Sequence, residues 1–240
     1  MGNFYPAFLT VLLFYCSMVL FSSCGGKARP PVIAAPTEGS NPNPTSLPPI
    51  TVAGQMKRSP QIRVLLKQNF RSVLVEGSNL ASVVVIKAEE GKIHLADGGG
   101  RGLGSGSGFR LKPLDGKQLK LDGVPYHEQL EVFINPLSRP VVVNEVSLES
   151  YLRGVVPNEL VTDRSRSEAI KSLTIAARTY AYSSLGQNAV RGFDVYSDTR
   201  SQVYRGVRSE KPFSDQMIGE THGIIATYQD KPIVAFYSYR

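Results

Sequence analysis

Cysteine is nearly absent from this 240-residue chain: Cys16 and Cys24 both fall in its first tenth, and none occurs later. Structural disulfides, zinc–cysteine clusters and cysteine nucleophiles are therefore excluded from the folded part. Histidine is almost as scarce. His94, His127 and His222 stand far apart without ligand spacing, so neither a histidine metal site nor a triad is expected. No HExxH or GxSxG pattern occurs. Dense basic runs are missing too. The 27 Lys and Arg against 20 Asp and Glu give a net charge of +7, yet the longest run is the pair Lys57-Arg58. That disfavours a dedicated nucleic-acid binder and leaves an acidic polysaccharide open as a partner. A hydrophobic content of 42% with 20% charged residues is enough for a real core.

Residues 1–23 carry no charged side chain, and AFLTVLLFYCSMVLF (7–21) is almost wholly apolar. About fifteen apolar residues make a signal-peptide core and are short for a membrane-spanning helix. The run ends in Phe21-Ser-Ser-Cys24-Gly25, which resembles a bacterial lipobox with Cys24 as the lipidated residue. Phe21 stands where Leu is commoner, and the leader has only its terminal amine as positive charge. The Gly2 myristoylation pattern is incomplete, since position 6 is proline. Cys16 reads as one more small apolar residue of the discarded segment. Residues 25–60 hold eight of the sixteen prolines among Gly, Ser, Asn and Thr. Such a stretch cannot bury enough apolar area to offset its ordering entropy. It reads as a disordered tether over 24–60, spanning roughly 30–35 Å as a flexible coil.

From Ile62 to Val146 the apolar residues come in short strand-like groups: IRVLLK (62–67), SVVVIKA (82–88), KIHLA (92–96), LEVFI (130–134) and VVVNEV (141–146). Glu76-Gly77, Asp97-Gly98, Asp115-Gly116 and Asp122-Gly123 are hairpin signals. The run GGGRGLGSGSG (98–108) fits neither phosphate-binding glycine motif, and no helix pattern comes after it, so it reads as a flexible loop. The clearest element is a helix. Ser165 and Glu168 form a capping box, and Ile170, Leu173, Ala176, Ala177, Tyr180 and Ala181 keep the helical period up to Gly186. A second helix is expected over about 211–220, then a hairpin of GIIATY (223–228) and PIVAFY (232–237) around Gln229-Asp230. Many strands and few helices, without regular alternation, point to an α+β fold of mixed and antiparallel sheets, one long helix and one or two short ones.

Carboxylates are the remaining catalysts. In LESYLRGVVPNEL (148–160), Leu148, Tyr151, Leu152 and Val155 suggest a short amphipathic helix that Pro157 ends. Glu159 then falls on a turn beside Val155, Val156 and Leu160. Lost solvation there would raise its pKa from about 4.3 toward the range of a general acid. Glu149 reads as an exposed helix residue and Glu168 as a cap.

These motifs carry a resemblance. LESYLRGVVPNEL (148–160), SEAIKSLTIAARTYAY (167–182), FDVYSDTRSQVYRG (193–206) and ETHGIIATYQDKPIVAFYS (220–238), in that order, resemble the SpoIID/LytB family, stage II sporulation protein D and its amidase-enhancer relatives. The likeness runs from about Val141 to Tyr237, so 141–240 is expected to be the catalytic core and 61–140 a strand-rich N-terminal part. The resemblance implies a lytic transglycosylase of peptidoglycan glycan strands, with the glutamate of VVPNEL, Glu159, as its acid. That single carboxyl group would protonate the glycosidic oxygen between MurNAc and GlcNAc, then deprotonate the MurNAc 6-hydroxyl, leaving a 1,6-anhydro end. Two-carboxylate hydrolases work differently. No metal or cofactor is implied.

Lys171 and Arg178 match the family motif and lie on one side of the helix. They suit either the lactyl carboxylate and Glu159, or ion pairs that lock the helix to the sheet. Asp198, Gln202 and Tyr204 match as well; Gln and Tyr suit sugar hydroxyls, though such a Tyr is as often packed in a core. Family members continue past AFY with His-Ser and a Gly-Gly segment that in some helps build the site or a metal ligand set. Here Ser238 holds the histidine's place and Arg240 is last, so a C-terminally incomplete member is expected. The alternative to the enzyme is a non-catalytic scaffold that binds glycan or stimulates a cell-wall amidase; a passive envelope lipoprotein is the third reading. Glu159 favours the enzyme, and the absent segment favours the scaffold. Localisation would be the cell envelope, outside the cytoplasm, with the membrane held through the Cys24 lipid. The charge divides accordingly: Lys27, Arg29, Lys57 and Arg58 against Glu38 leave +3 on the tether, and 23 basic with 19 acidic residues leave +4 on the rest.

Overall fold

A computed structural model of the chain describes residues 52–53, 59–77, 83–113, 116–160 and 163–237. The leader, Cys24, nearly all of the tether, Asp115 and Ser238 lie outside the described residues.

Alternating and doubly apolar runs become strands in the first half of the fold. In chain order these are β1 (Val52–Ala53), β2 (Gln61–Gln68), β3 (Ser72–Gly77), β4 (Val84–Glu89), β5 (Lys92–Asp97), β6 (Gly102–Gly106) and β7 (Gly108–Leu111). Next come β8 (Leu119–Leu121), β9 (Val124–Tyr126), β10 (Gln129–Ile134) and β11 (Pro140–Ser147). Three helices succeed them: α1 (Leu148–Arg153), α2 (Val156–Glu159) and α3 (Ser167–Ser183). The chain then forms β12 (Val195–Tyr196), α4 (Pro212–Glu220), β13 (Ile225–Tyr228) and β14 (Lys231–Pro232). The fold is α+β.

A six-stranded antiparallel sheet has the order β6-β5-β4-β3-β8-β9, and a five-stranded one β12-β2-β11-β10-β7, in which only β12 runs parallel to its neighbour. A small sheet joins β1, β13 and β14. β11 explains why VVVNEV is apolar almost throughout, because both its faces are covered. Val142 and Val146 join Ile62, Val64, Leu130 and Val132 in a core shared with the six-stranded sheet (Val73, Val75, Ile86, Ile93) and with Tyr151 and Ala181 of the helices. Val141 and Val143 pack on Leu65 and Phe193 on the other side. Residues 61–140 therefore share one core with β11, α1 and α3.

Several local expectations change. Asp122-Gly123 and Glu90-Gly91 close hairpins with positive φ at both residues, as primed turns require. Glu76-Gly77 is the end of β3, paired with Lys120 and Leu119, so that turn signal is corrected. The glycine run is no loop. It forms β6 and β7, and a Cβ on Gly108 would come within 2.6 Å of Phe133 Cβ, so only glycine lets β7 approach β10 here. The final hairpin holds its turn at Gln229-Asp230, but its second strand is only Lys231–Pro232.

The helical layer packs around Leu152, Val156, Ile170, Ala177, Met217 and Ile218. The Ser165/Glu168 capping box does not form. Asp163 instead caps a 3₁₀ turn over Arg164–Arg166 by accepting from Ser165 N, and α3 begins without a side-chain cap. Among the described residues no helix is long and apolar enough to cross a membrane.

Candidate active site

α1 begins with the Ser147 hydroxyl accepting from Ser150 N and buries Leu148, Tyr151 and Leu152, the i, i+3, i+4 face of the sequence. It stops at Gly154, before the proline. A Cβ there would sit 2.4 Å from the Tyr204 ring, so the glycine lets the loop of residues 197–206 close over the turn. Pro157 then opens α2 instead of ending α1, since its fixed φ and missing N–H suit a first helical turn. Glu159 is the last residue of α2, half-buried, and Val155 and Val156, four and three residues before it, are fully buried.

Asn158 ties α2 to the loop: its Nδ2 donates to Gly154 O at 2.7 Å and to Val203 O at 3.2 Å. Val203 N in turn donates to Glu159 Oε1 at 3.4 Å, a long bond that leaves the carboxylate mostly open. Glu159 opens into a cleft of about 420 Å³. Tyr180, Phe236 and Tyr237 wall it with aromatic surface, and Arg200 supplies a polar group. Glu159 is the one carboxylate among the described residues that lines it. Tyr180 and Phe236 stand 6.3 Å apart between ring centres, tilted by 56°. Phe236 is 83% exposed, so this wall presents an apolar face to whatever enters.

The other expected site residues are placed differently. Arg178 is fully buried, gripping Glu149 through Nε at 2.8 Å and Nη2 at 2.9 Å and donating to the Ile224 and Ile218 carbonyls at 3.1 and 3.3 Å. Lys171 bridges Glu168 at 3.1 Å and Glu220 at 2.8 Å, joining α3 to α4. Both side chains are locked in ion pairs, and neither lines the Glu159 cleft. Glu149, read as exposed, is half-buried and is the anchor of Arg178. Tyr204 is also structural. Its hydroxyl donates to Asn144 Oδ1 at 2.7 Å and its ring lies 5.0 Å from that of Tyr151. Burial pushes the ionisation of both phenols well up.

Asp198 stays outside the cleft and orients Arg200, accepting from Nε at 2.9 Å and Nη2 at 2.6 Å. The Arg200 hydrogen bonds hold its carboxyl below the usual range. Gln202 alone of the secondary residues lines the cleft, but its side chain is buried against protein partners. Tyr180, Arg200, Phe236 and Tyr237 were not singled out from sequence. Their nearest signal was membership of the helical, FDVYSDTRSQVY and PIVAFY segments.

The fold and cleft define an α+β protein in which, among the described residues, one acidic side chain lines an aromatic-walled groove. Residues 138–228 match the SpoIID family model, described as stage II sporulation protein. An uncharacterized protein of Brachyspira hyodysenteriae is 37% identical over 119 residues, which are 49% of this chain and 32% of that protein. The match thus spans about a third of the length of that curated relative. No solved structure matches.

Proposed function

We propose that this chain is a peptidoglycan lytic transglycosylase that cleaves MurNAc–GlcNAc strands with Glu159 as sole acid and base. The SpoIID match supports a cell-wall-related role in sporulation; the finer reading rests on one observation, that Glu159 is the single carboxylate among the described residues lining the cleft. A hydrolase with two carboxyl groups needs a second acid within about 5–10 Å to attack or to activate water. With one carboxylate, the nucleophile is best supplied by the substrate. Glu159 gives its proton to the glycosidic oxygen, the C1–O bond breaks, and positive charge develops on the MurNAc ring. The resulting carboxylate takes the proton of the MurNAc 6-hydroxyl as that oxygen bonds to C1. The ring closes as a 1,6-anhydro end, Glu159 is protonated again, and no water is consumed. Tyr180 and Phe236 offer apolar faces to sugar C–H groups, and the cleft is large enough for them to do so.

The test uses the full chain on peptide-stripped and intact glycan strands, with products read by mass spectrometry. Glu159→Gln keeps the shape and removes the proton; loss of about 10³-fold or more in 1,6-anhydro product is expected, as for deletion of a sole general acid–base group. Unchanged activity would sink the assignment. No product from the unsubstituted chain, with glycan binding retained, would favour the scaffold reading.

A further inference from the structure

Gln202 is 2% exposed, and each of its polar groups has a fixed role. Nε2 donates to the Ala177 carbonyl at 3.3 Å. A carbonyl only accepts, so this bond decides which end of the amide is nitrogen. Oε1 must then accept, and it takes the Tyr151 hydroxyl at 3.1 Å. The second Nε2 hydrogen goes to Tyr237 Oη at 2.6 Å. Both Nε2 hydrogens of Gln202 are thereby committed within the protein, so it has no donor left for a sugar. The same chain of bonds forces Tyr237 to accept from Gln202, so its own hydrogen must point elsewhere. Tyr237 lines the cleft with Glu159, so that hydrogen is available to a group bound there.

We propose that Tyr237 is a fixed hydrogen-bond donor to a sugar oxygen bound beside Glu159, and that Gln202 is the positioning residue that aims it. The inference rests on the glycan reading of the cleft. Burial, with the charge of Glu159 adding to it, pushes the Tyr237 phenol well above its usual ionisation range. Its hydroxyl therefore keeps its hydrogen near neutral pH. The role expected of Gln202 and Tyr204, contact with sugar hydroxyls, passes to Tyr237.

The test measures the affinity of a peptide-free glycan oligosaccharide by calorimetry, using the full chain carrying Glu159→Gln so that the ligand is not consumed. Adding Tyr237→Phe keeps the ring and should weaken binding about fivefold to tenfold, the worth of one hydrogen bond. Gln202→Met should weaken it similarly, and the double variant should bind no worse than Tyr237→Phe alone. Unchanged affinity in Tyr237→Phe overturns the donor role, and additive losses overturn the aiming role. Should Gln202→Met fail to fold, Tyr237→Phe still decides the donor. Product analysis separates this inference from its basis. Products with an indifferent Tyr237→Phe remove the donor alone; no products with weakened binding remove the transglycosylase and keep the donor. A parent that binds no glycan removes both.

Discussion

Arg178 shows how much a single residue's role depends on its surroundings. On a helical wheel it could have faced the substrate or the protein. Fully buried, it completes the hydrogen bonding of Glu149 and of two carbonyls from α4 and the turn before β13. Removing one partner of such a pair strands the other in a low-dielectric site. Arg178→Met should lower unfolding stability by about 3–5 kcal/mol, measured by urea denaturation at neutral pH. If stability holds while glycan binding falls, Arg178 belongs to the site after all. Glu159 was singled out from sequence by its turn beside Val155, Val156 and Leu160 and by the VVPNEL motif that carries the family likeness. Tyr237 was not, because tyrosines ending a strand-like segment are ordinary and its hydrogen-bond polarity is set by a residue 35 positions away.

Among elements, the long apolar runs and the periodic helix were readable. The short strands β8, β9 and β12 were not, since a few residues carry no period, and β3, β6 and β7 were missed as well. The five-stranded sheet is also stitched across its face. Glu131 on β10 takes Arg110 of β7 and Arg63 of β2, two strands away. Burial works against its charge, but the bonds from Arg110 and Arg63 outweigh it and hold the carboxyl below its ordinary value. A depressed carboxyl adds stability above its unfolded pKa and loses it as pH falls through the native one. The urea midpoint should therefore change little on this account near neutrality and decline below about pH 4.5. Glu131→Gln should lower the neutral plateau and shallow the acid limb; an unaltered limb would show that the pair contributes nothing. Asp97, Asp163 and Glu220 act in the same direction at exposed pairs, where solvent screens them.

At the scale of the whole molecule, the matched segment 138–228 does not stand alone. β2 completes its sheet against β11 and β12, and residues 235–237 supply part of the cleft wall. We propose that the entire unit is held at a membrane by a lipid on Cys24. The full chain expressed with its leader should fractionate with membranes and incorporate a labelled fatty acid. Cys24→Ser should lose the label and shift to the soluble fraction; an unlabelled parent chain would end the lipoprotein reading.

By itself, the sequence determined the fold class, the long helix, the main strands and the likeness of its ordered motifs to SpoIID. Those features are written in local periodicity and in short contiguous patterns. Only the tertiary structure decided which side chains meet. Pro157 opens a helix because Gly154 has already ended one, and Lys171 and Arg178 turn to Glu220 and Glu149 because those acids are brought within ion-pairing distance. Tyr180, Arg200 and Tyr237 come to Glu159 from three separate segments. Their convergence comes from the packing of α3 and its neighbours on one core, which no single window of sequence contains.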